Sequence, residues 1–254
     1  MSNHDSSRID EPQATGQVWR SLSDRLTTAL KPTAPPVAIS FLRKGSAAPV
    51  ARRSDAYAEP NDKGRTGQVP AGCVLWIKGS SSAFATTAPD HANCSVGSFT
   101  HGFLTLEEAA SKDDVCAVLE SGWVDGASVQ ALPRVSEKPE TIVYSPLAQA
   151  SSVPDVVLLR INGFALMTLK DALPALRIEG KPQCHIVAIA KEQGDVAASV
   201  GCALSRARTG MRPEEMTCAI PGRKLGEVVL ALEAAVTLDR MMASYAAADA
   251  KRFQ

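Results

Sequence analysis

An internal echo constrains this chain more than any other feature. PPVAIS at 35–40, a strand-opening Cys73 and ANCSVGSFTHG at 92–102 are matched by PDVVLL at 154–159, Cys184 and VGCALSRARTG at 200–210. Setting Cys94 on Cys202 places Gly102 on Gly210 without a gap. Both glycines are soon followed by an acidic pair, Glu107-Glu108 and Glu214-Glu215, the latter after Pro213, a favoured first helical position. Two such units about a pseudo-twofold axis would bring equivalent positions together. Cys94 and Cys202 are therefore expected to face one another, with Cys73 and Cys184 flanking them. The expected fold class is α/β: two pseudo-equivalent strand-loop-helix halves, about 17–140 and 141–254, packed as one domain with a long C-terminal helix. The account fails if the sulfurs of Cys94 and Cys202 lie on opposite sides of the molecule.

Local patterns fill in the elements. Residues 1–16 are polar and predict a disordered tail. Val18, Leu22, Leu26 and Leu30 recur at steps of four and predict a helix over 17–31. PPVAISFL (35–42), CVLWIKG (73–79), TIVYSPL (141–147), DVVLLRI (155–161) and CHIVAIA (184–190) read as strands, DVVLLRI as one buried on both faces. DVAASVGCALSRART (195–209) reads as a helix capped by Gly210. Leu225, Val228, Leu232, Ala235, Leu238, Met242 and Tyr245 recur at steps of three or four, which predicts a core helix or a dimer helix. The unpatterned stretch 44–70, mildly basic through Lys44, Arg52, Arg53, Lys63 and Arg65, reads as a solvated loop or a lid over an anionic ligand.

Lys+Arg and Asp+Glu are both 27, so no strongly basic face for nucleic acid or an anionic membrane is expected. No run approaches 18 apolar residues, and the N-terminus does not read as a signal peptide, so the expected compartment is the cytoplasm. There the six widely spaced cysteines are expected as thiols or ligands rather than disulfides. Fingerprints of a Rossmann dehydrogenase, a P-loop NTPase and an α/β-hydrolase are absent.

Two segments could carry chemistry. In GCALSRARTG, Cys202 and Arg206 would share a helix face, and Arg208 lies nearby. A guanidinium there would favour the thiolate and offer a planar fork to a carboxylate or phosphate. In HANCSVGSFTHG, His91, Cys94 and His101 could share a face of one helix with Asp90 as N-cap. Thiolate and imidazole suit zinc, iron or copper, and equally a Cys nucleophile with a His base. Packing of a small apolar thiol remains the plain alternative at each position.

PPVAISF, VYSPL, PDVVLLRINGFALM, VGCALSRARTG and EEMTCAIPG, in that order, resemble the bacterial and archaeal family catalogued as domain of unknown function 169. The resemblance covers about residues 35–235. It implies a single-domain protein with a cysteine-containing motif and supplies no substrate. What it carries over is limited to Cys202, Arg206, Thr209, Gly210, Met216, Pro221 and Gly222, with Cys94 and His101 in the first half.

Three functions are therefore expected alternatives. One is a cytoplasmic small-molecule enzyme or redox protein with a cysteine-ligated centre between the halves. An iron–sulfur cluster or a single metal ion would be held by Cys94 and Cys202 with Cys73, Cys184, Cys218 or a histidine such as His101. The second is a metal-free enzyme in which a cysteine such as Cys202 acts as nucleophile or acid/base with His101 or His91 as partner, and Arg206 or Arg208 clamps an anionic substrate. The third is a non-catalytic ligand-binding or assembly protein, with the C-terminal helix joining copies into a homo-oligomer.

Overall fold

A computed structural model of the protein describes residues 11–50, 72–180, 182–203, 205–206 and 211–253. The helices are α1 (Glu11–Leu30), α2 (Gly72–Gly79), α3 (Ser95–Thr100), α4 (Leu106–Ala110), α5 (Asp113–Glu120), α6 (Gly126–Gln130), α7 (Gly163–Ala172), α8 (His185–Ala188) and α9 (Leu225–Ala250). The strands are β1 (Val37–Leu42), β2 (Phe84–Thr86), β3 (Thr141–Pro146), β4 (Val156–Ile161), β5 (Arg177–Glu179), β6 (Ala197–Ser199) and β7 (Met216–Pro221). They form one sheet in the order β2-β3-β1-β4-β7-β6-β5. Every pairing is antiparallel except β5 with β6.

The sheet divides the core in two. β4 sends Val157, Leu159 and Ile161 into one layer and Val156 and Leu158 into the other, as expected for a strand buried on both faces. The first layer packs the sheet on α1, α7 and α9 through Leu26, Leu30, Leu169, Val229 and Leu232. The second packs it on α2 and α8 through Leu75, Trp76, Ile186 and Val187.

β1 and β4 meet in the middle of the sheet, with Val37 opposite Leu158, Ala38 opposite Val157 and Ile39 opposite Val156. Outward from β1 come β3 and β2; outward from β4 come β7 and β6. The registers correspond. Val37 faces Pro146 as Val156 faces Pro221. Phe84 faces Tyr144 as Ala197 faces Ala219. Each proline leads into a short 3-10 turn, Leu147–Gln149 and Gly222–Lys224.

Several expected elements differ. CVLWIKG is helix α2, not a strand, and CHIVAIA is α8 running on into a π turn at Ile189–Gln193. A short apolar run has no periodicity to separate strand from buried helix. Gly79 lets α2 press onto the sheet, since a Cβ there would sit 2.9 Å from Val37 Cγ1 and 3.1 Å from Tyr144 Cβ. DVAASVGCALSRART is not one helix: Ala197–Ser199 is paired on both sides as β6, and Gly201 turns the chain at φ +112°. Sheet pairing of small buried side chains overrides the helical preference of alanine there. Pro213 opens no helix, because β7 begins at Met216. α1 starts at Glu11, so 11–16 are helical rather than part of a tail.

β3 lies beyond the expected divide at 140 yet pairs with β1 and β2. In α9, Leu225, Val228 and Leu232 are buried, whereas Leu238, Met241, Met242 and Tyr245 are exposed, so the core stripe stops short. Among the described residues no helix is long and apolar enough to cross a membrane.

Candidate functional site

Four of the six cysteines converge beneath the sheet on the α2–α8 side. Cys73 lies in the first turn of α2, Cys184 immediately precedes α8, Cys94 caps α3, and Cys202 follows β6. Cys184 is buried, and burial drives its thiol well above the ordinary range; the neighbouring Cys94, Cys73 and Cys202 act in the same direction, and Thr100 in the opposite one. Cys73 is raised by burial and by Cys202, against hydrogen bonds with Ser205 and Gln183. Cys94 is half-buried, and its Sγ accepts from the Gly97 N–H at 3.4 Å. The other two cysteines stand elsewhere. Cys218 points into the layer under α1 and α9, where burial pushes its thiol up to about 12. Cys116 on α5 reaches the Ala110 carbonyl at 3.5 Å.

Gln183 ties one side of this cluster together. Its Nε2 reaches Ser205 Oγ at 2.7 Å, Met211 Sδ at 3.2 Å and Cys73 Sγ at 3.5 Å. Its Oε1 is buried without a hydrogen-bond partner among the described residues.

Aromatic rings form another side. His91 and His101 are fully buried, 5.6 Å apart between ring centres, and flanked by Phe41, Trp76, Phe103 and Tyr144. Their hydrogen bonds fix both tautomers. The Thr86 hydroxyl donates its one proton to the Ile142 carbonyl at 3.0 Å, so His91 Nε2 must donate to Thr86 Oγ1, also at 3.0 Å. The Gly97 carbonyl can only accept, so His101 Nδ1, 2.7 Å away, carries the proton. His91 Nδ1 and His101 Nε2 are left as lone pairs, both buried without a hydrogen-bond partner among the described residues. Burial pushes His101 down to about 4 despite the Gly97 bond. Burial, and then His101, push His91 well below its usual value. Tyr144 Oη and Trp76 Nε1 are likewise buried without a hydrogen-bond partner among the described residues.

The single-helix reading of His91, Cys94 and His101 is corrected. His91 ends a 3-10 turn at Ala88–His91, Cys94 is the N-cap of α3 in place of Asp90, and His101 is its C-cap. Asp90 instead accepts from the Thr87 N–H at 2.7 Å.

Arg206 occupies the hollow over Gly201, where a Cβ would collide with the guanidinium. It donates through Nε to the Pro213 carbonyl at 3.2 Å and through Nη2 to Val200 at 3.2 Å and Glu215 at 3.0 Å. Much of its fork is thus engaged by backbone. Arg208, Thr209, Gly210 and most of the basic loop, including Arg52, Arg53, Lys63 and Arg65, lie outside the described residues.

Sequence reasoning misses Gln183, Ser205, Met211, Thr100, Tyr144 and Trp76. Their only signal is adjacency: Gln183 precedes Cys184, Thr100 precedes His101, and Ser205 and Met211 bracket the end of the Cys202 motif. Among the described residues no group of three or more His, Cys, Asp or Glu is arranged to hold a metal ion.

A family model matches residues 25–231, a span that holds all four converging thiols. The chain belongs to the domain of unknown function 169 family, described as uncharacterised ArCR. An uncharacterized protein of Methanocaldococcus jannaschii is 29% identical to this member over 116 residues, 42% of this chain and 49% of the relative. The chain thus matches about half the length of that relative. No solved structure matches it.

Proposed function

We propose that this family member is a small-molecule enzyme or redox protein whose working part is a polynuclear cysteine-ligated centre, an iron–sulfur cluster, held by Cys73, Cys94, Cys184 and Cys202. The observation that carries the reading is the convergence of these four thiols, from four separate segments, around Cys184. A single tetrahedral ion would draw its sulfurs to about 3.8 Å from one another, given a metal–sulfur bond of about 2.3 Å. The described residues offer no such group, whereas a cluster holds its cysteines farther apart and accepts ligands from distant segments. Ligation would also relieve thiols that burial otherwise keeps protonated, so loading releases protons.

The centre is proposed to sit on an internal duplication. The matched strand order and registers about β1 and β4 support it. So does the placement of thiols: Cys73 and Cys184 both open helices, and Cys94 and Cys202 follow β2 and β6, the strands two places out from β1 and β4. In this reading the first unit extends through β3 to Pro146, past the expected divide at 140. A second copy of the chain is the proposed partner for the exposed row Leu238, Met241, Met242 and Tyr245 on α9.

The test is protein purified without air. Iron and acid-labile sulfide in fixed ratio to chain, with broad visible charge-transfer absorbance, are expected. Cys202→Ser should abolish retention and Cys116→Ser should not. Colourless, iron-free wild type under the same conditions removes the proposal.

The buried imidazole nitrogens without a partner among the described residues support a second reading, metal-free thiol–imidazole chemistry on the same side of the sheet. Alkylation against pH separates it from the first. One thiol of the apoprotein reacting well below the ordinary cysteine value of about 8.5 would favour it.

A further inference from the structure

We propose that a pocket on the opposite face of the sheet from the thiols is a binding site for a small uncharged polyol. It goes beyond the cluster reading and does not depend on it: Cys73 and Cys184 belong to the α2–α8 layer, whereas the pocket opens on the face that carries Ala38. It encloses about 320 Å³, near the lower end of the range for small-molecule sites. β1 and β3 form its floor, and the segments 47–50 and 149–152 supply its walls.

Strand alternation builds the floor. Ala38 turns to the α1 and α9 side of the sheet, so Ser40 and Leu42 do as well. Ala38 lies opposite Ser145, and Ser40 opposite Val143. The two serines thus stand diagonally across the strand pair, about 7 Å apart by ordinary sheet geometry. The matching face of the other half shows what such a floor carries when it only has to be covered. With Val37 matched to Val156 and Pro146 to Pro221, Ser40 falls on Leu159 and Ser145 on Ile220. Leu159 and Ile220 are fully buried in the layer under α7 and α9. Small hydroxyl side chains in their place leave the space open instead of filled.

Ser145 defines the requirement. It is nine-tenths buried and lines the pocket, yet its hydroxyl makes no hydrogen bond among the described residues. A hydroxyl withdrawn from water without a partner costs free energy, and a ligand that donates or accepts there restores the lost bond. Ser40, Gln149, Ser151 and Ser152 add neutral polar groups around the same space.

The lining also sets the chemical class. Among the described residues no ionisable side chain lines the pocket, so a charged ligand would lose hydration with nothing to balance it. No aromatic ring among them lines it either, so a planar base has no surface to stack on. Serine hydroxyls both donate and accept, as the hydroxyls of a polyol do. Ala38, Leu42, Ala83 and Val143 meet the carbon skeleton.

The test uses the full chain labelled with 15N and follows backbone amide shifts during titration with xylitol and with glucose. Gluconate and adenine serve as the charged and the planar counterparts. Saturable shifts at Ser40, Val143 and Ser145 are expected with xylitol or glucose, and none with gluconate or adenine. Ser145→Ala should weaken binding about tenfold, the loss expected of one hydrogen bond, with the melting temperature unchanged. Ser40→Leu combined with Ser145→Ile, the residues of the matched half, should abolish binding and keep the circular dichroism of wild type. No saturable shift with either polyol up to about 0.1 M overturns the proposal. So does binding that is undiminished in Ser145→Ala, or a preference for gluconate or adenine. Wild type alone can refute the proposal, so a filled variant that fails to fold leaves the test standing.

Discussion

Acidification of the metal-free protein should weaken the fold through His101, by an amount the structure sets. An unfolded histidine titrates near 6.5, whereas burial lowers His101 to about 4 in the folded chain. Above the unfolded value both states are neutral and the residue makes stability independent of pH. Between the two values only the unfolded chain takes the proton, so stability falls as pH falls. Below the folded value both states are protonated and the loss levels off. Each pH unit in that window is worth about 1.4 kcal/mol, so the whole window amounts to roughly 3 kcal/mol and the stretch down to pH 5 to about 2 kcal/mol. That is a large share of the about 5–15 kcal/mol that holds a typical domain together. Urea unfolding followed by circular dichroism, at pH 7, 6 and 5, measures it. Wild type should lose about 2 kcal/mol more than His101→Gln between the extremes. His91 titrates in the same direction; its burial is common to both proteins and cancels, and only the smaller push that it receives from His101 is lost in the variant. Parallel pH profiles for the two proteins would refute the burial and tautomer assigned to His101.

Three further outcomes are expected. Gly79→Ala should cost about 1–3 kcal/mol in thermal or urea unfolding, because its Cβ would press on Val37 and Tyr144 where α2 meets the sheet. Arg206→Ala should lower stability by roughly 1–3 kcal/mol, since three carbonyl contacts of the Val200–Glu215 loop depend on that guanidinium, and Lys44→Ala should leave the melting temperature unchanged. On the proposed pairing of two copies through α9, the double substitution Leu238→Ser and Tyr245→Ser should give a smaller sedimenting species than wild type without loss of helix, as both side chains are exposed.

The extent to which sequence reveals this molecule depends on what each segment packs against. β1, β3 and β4 are legible because their β-branched, apolar runs are bounded by proline or polar residues and run long enough to show a pattern. α1 and the first half of α9 are legible because one face meets the sheet and the other meets water. α2 and α8 are not, because both are buried segments of a few residues with no polar face to reveal the period. β6 is hidden for a related reason: Ala-Ala-Ser carries no strand preference, and only its partners β5 and β7 make it a strand. The site divides in the same way. Sequence spacing assigns the wrong secondary structure at Cys73, Cys184 and Cys202, because each lies in a short buried segment whose shape is set by its neighbours. Gln183, Met211 and Tyr144 come near these thiols through tertiary contacts that no spacing encodes.

The central claim is that these thiols surround one metal-bearing centre. A crystal structure of protein prepared without air, with diffraction recorded on both sides of the iron absorption edge, addresses it most directly. An anomalous iron peak within bonding reach of the sulfurs of Cys73, Cys94, Cys184 and Cys202 is the expected result. Four sulfurs packed separately in hydrocarbon, with no anomalous signal between them, would contradict it.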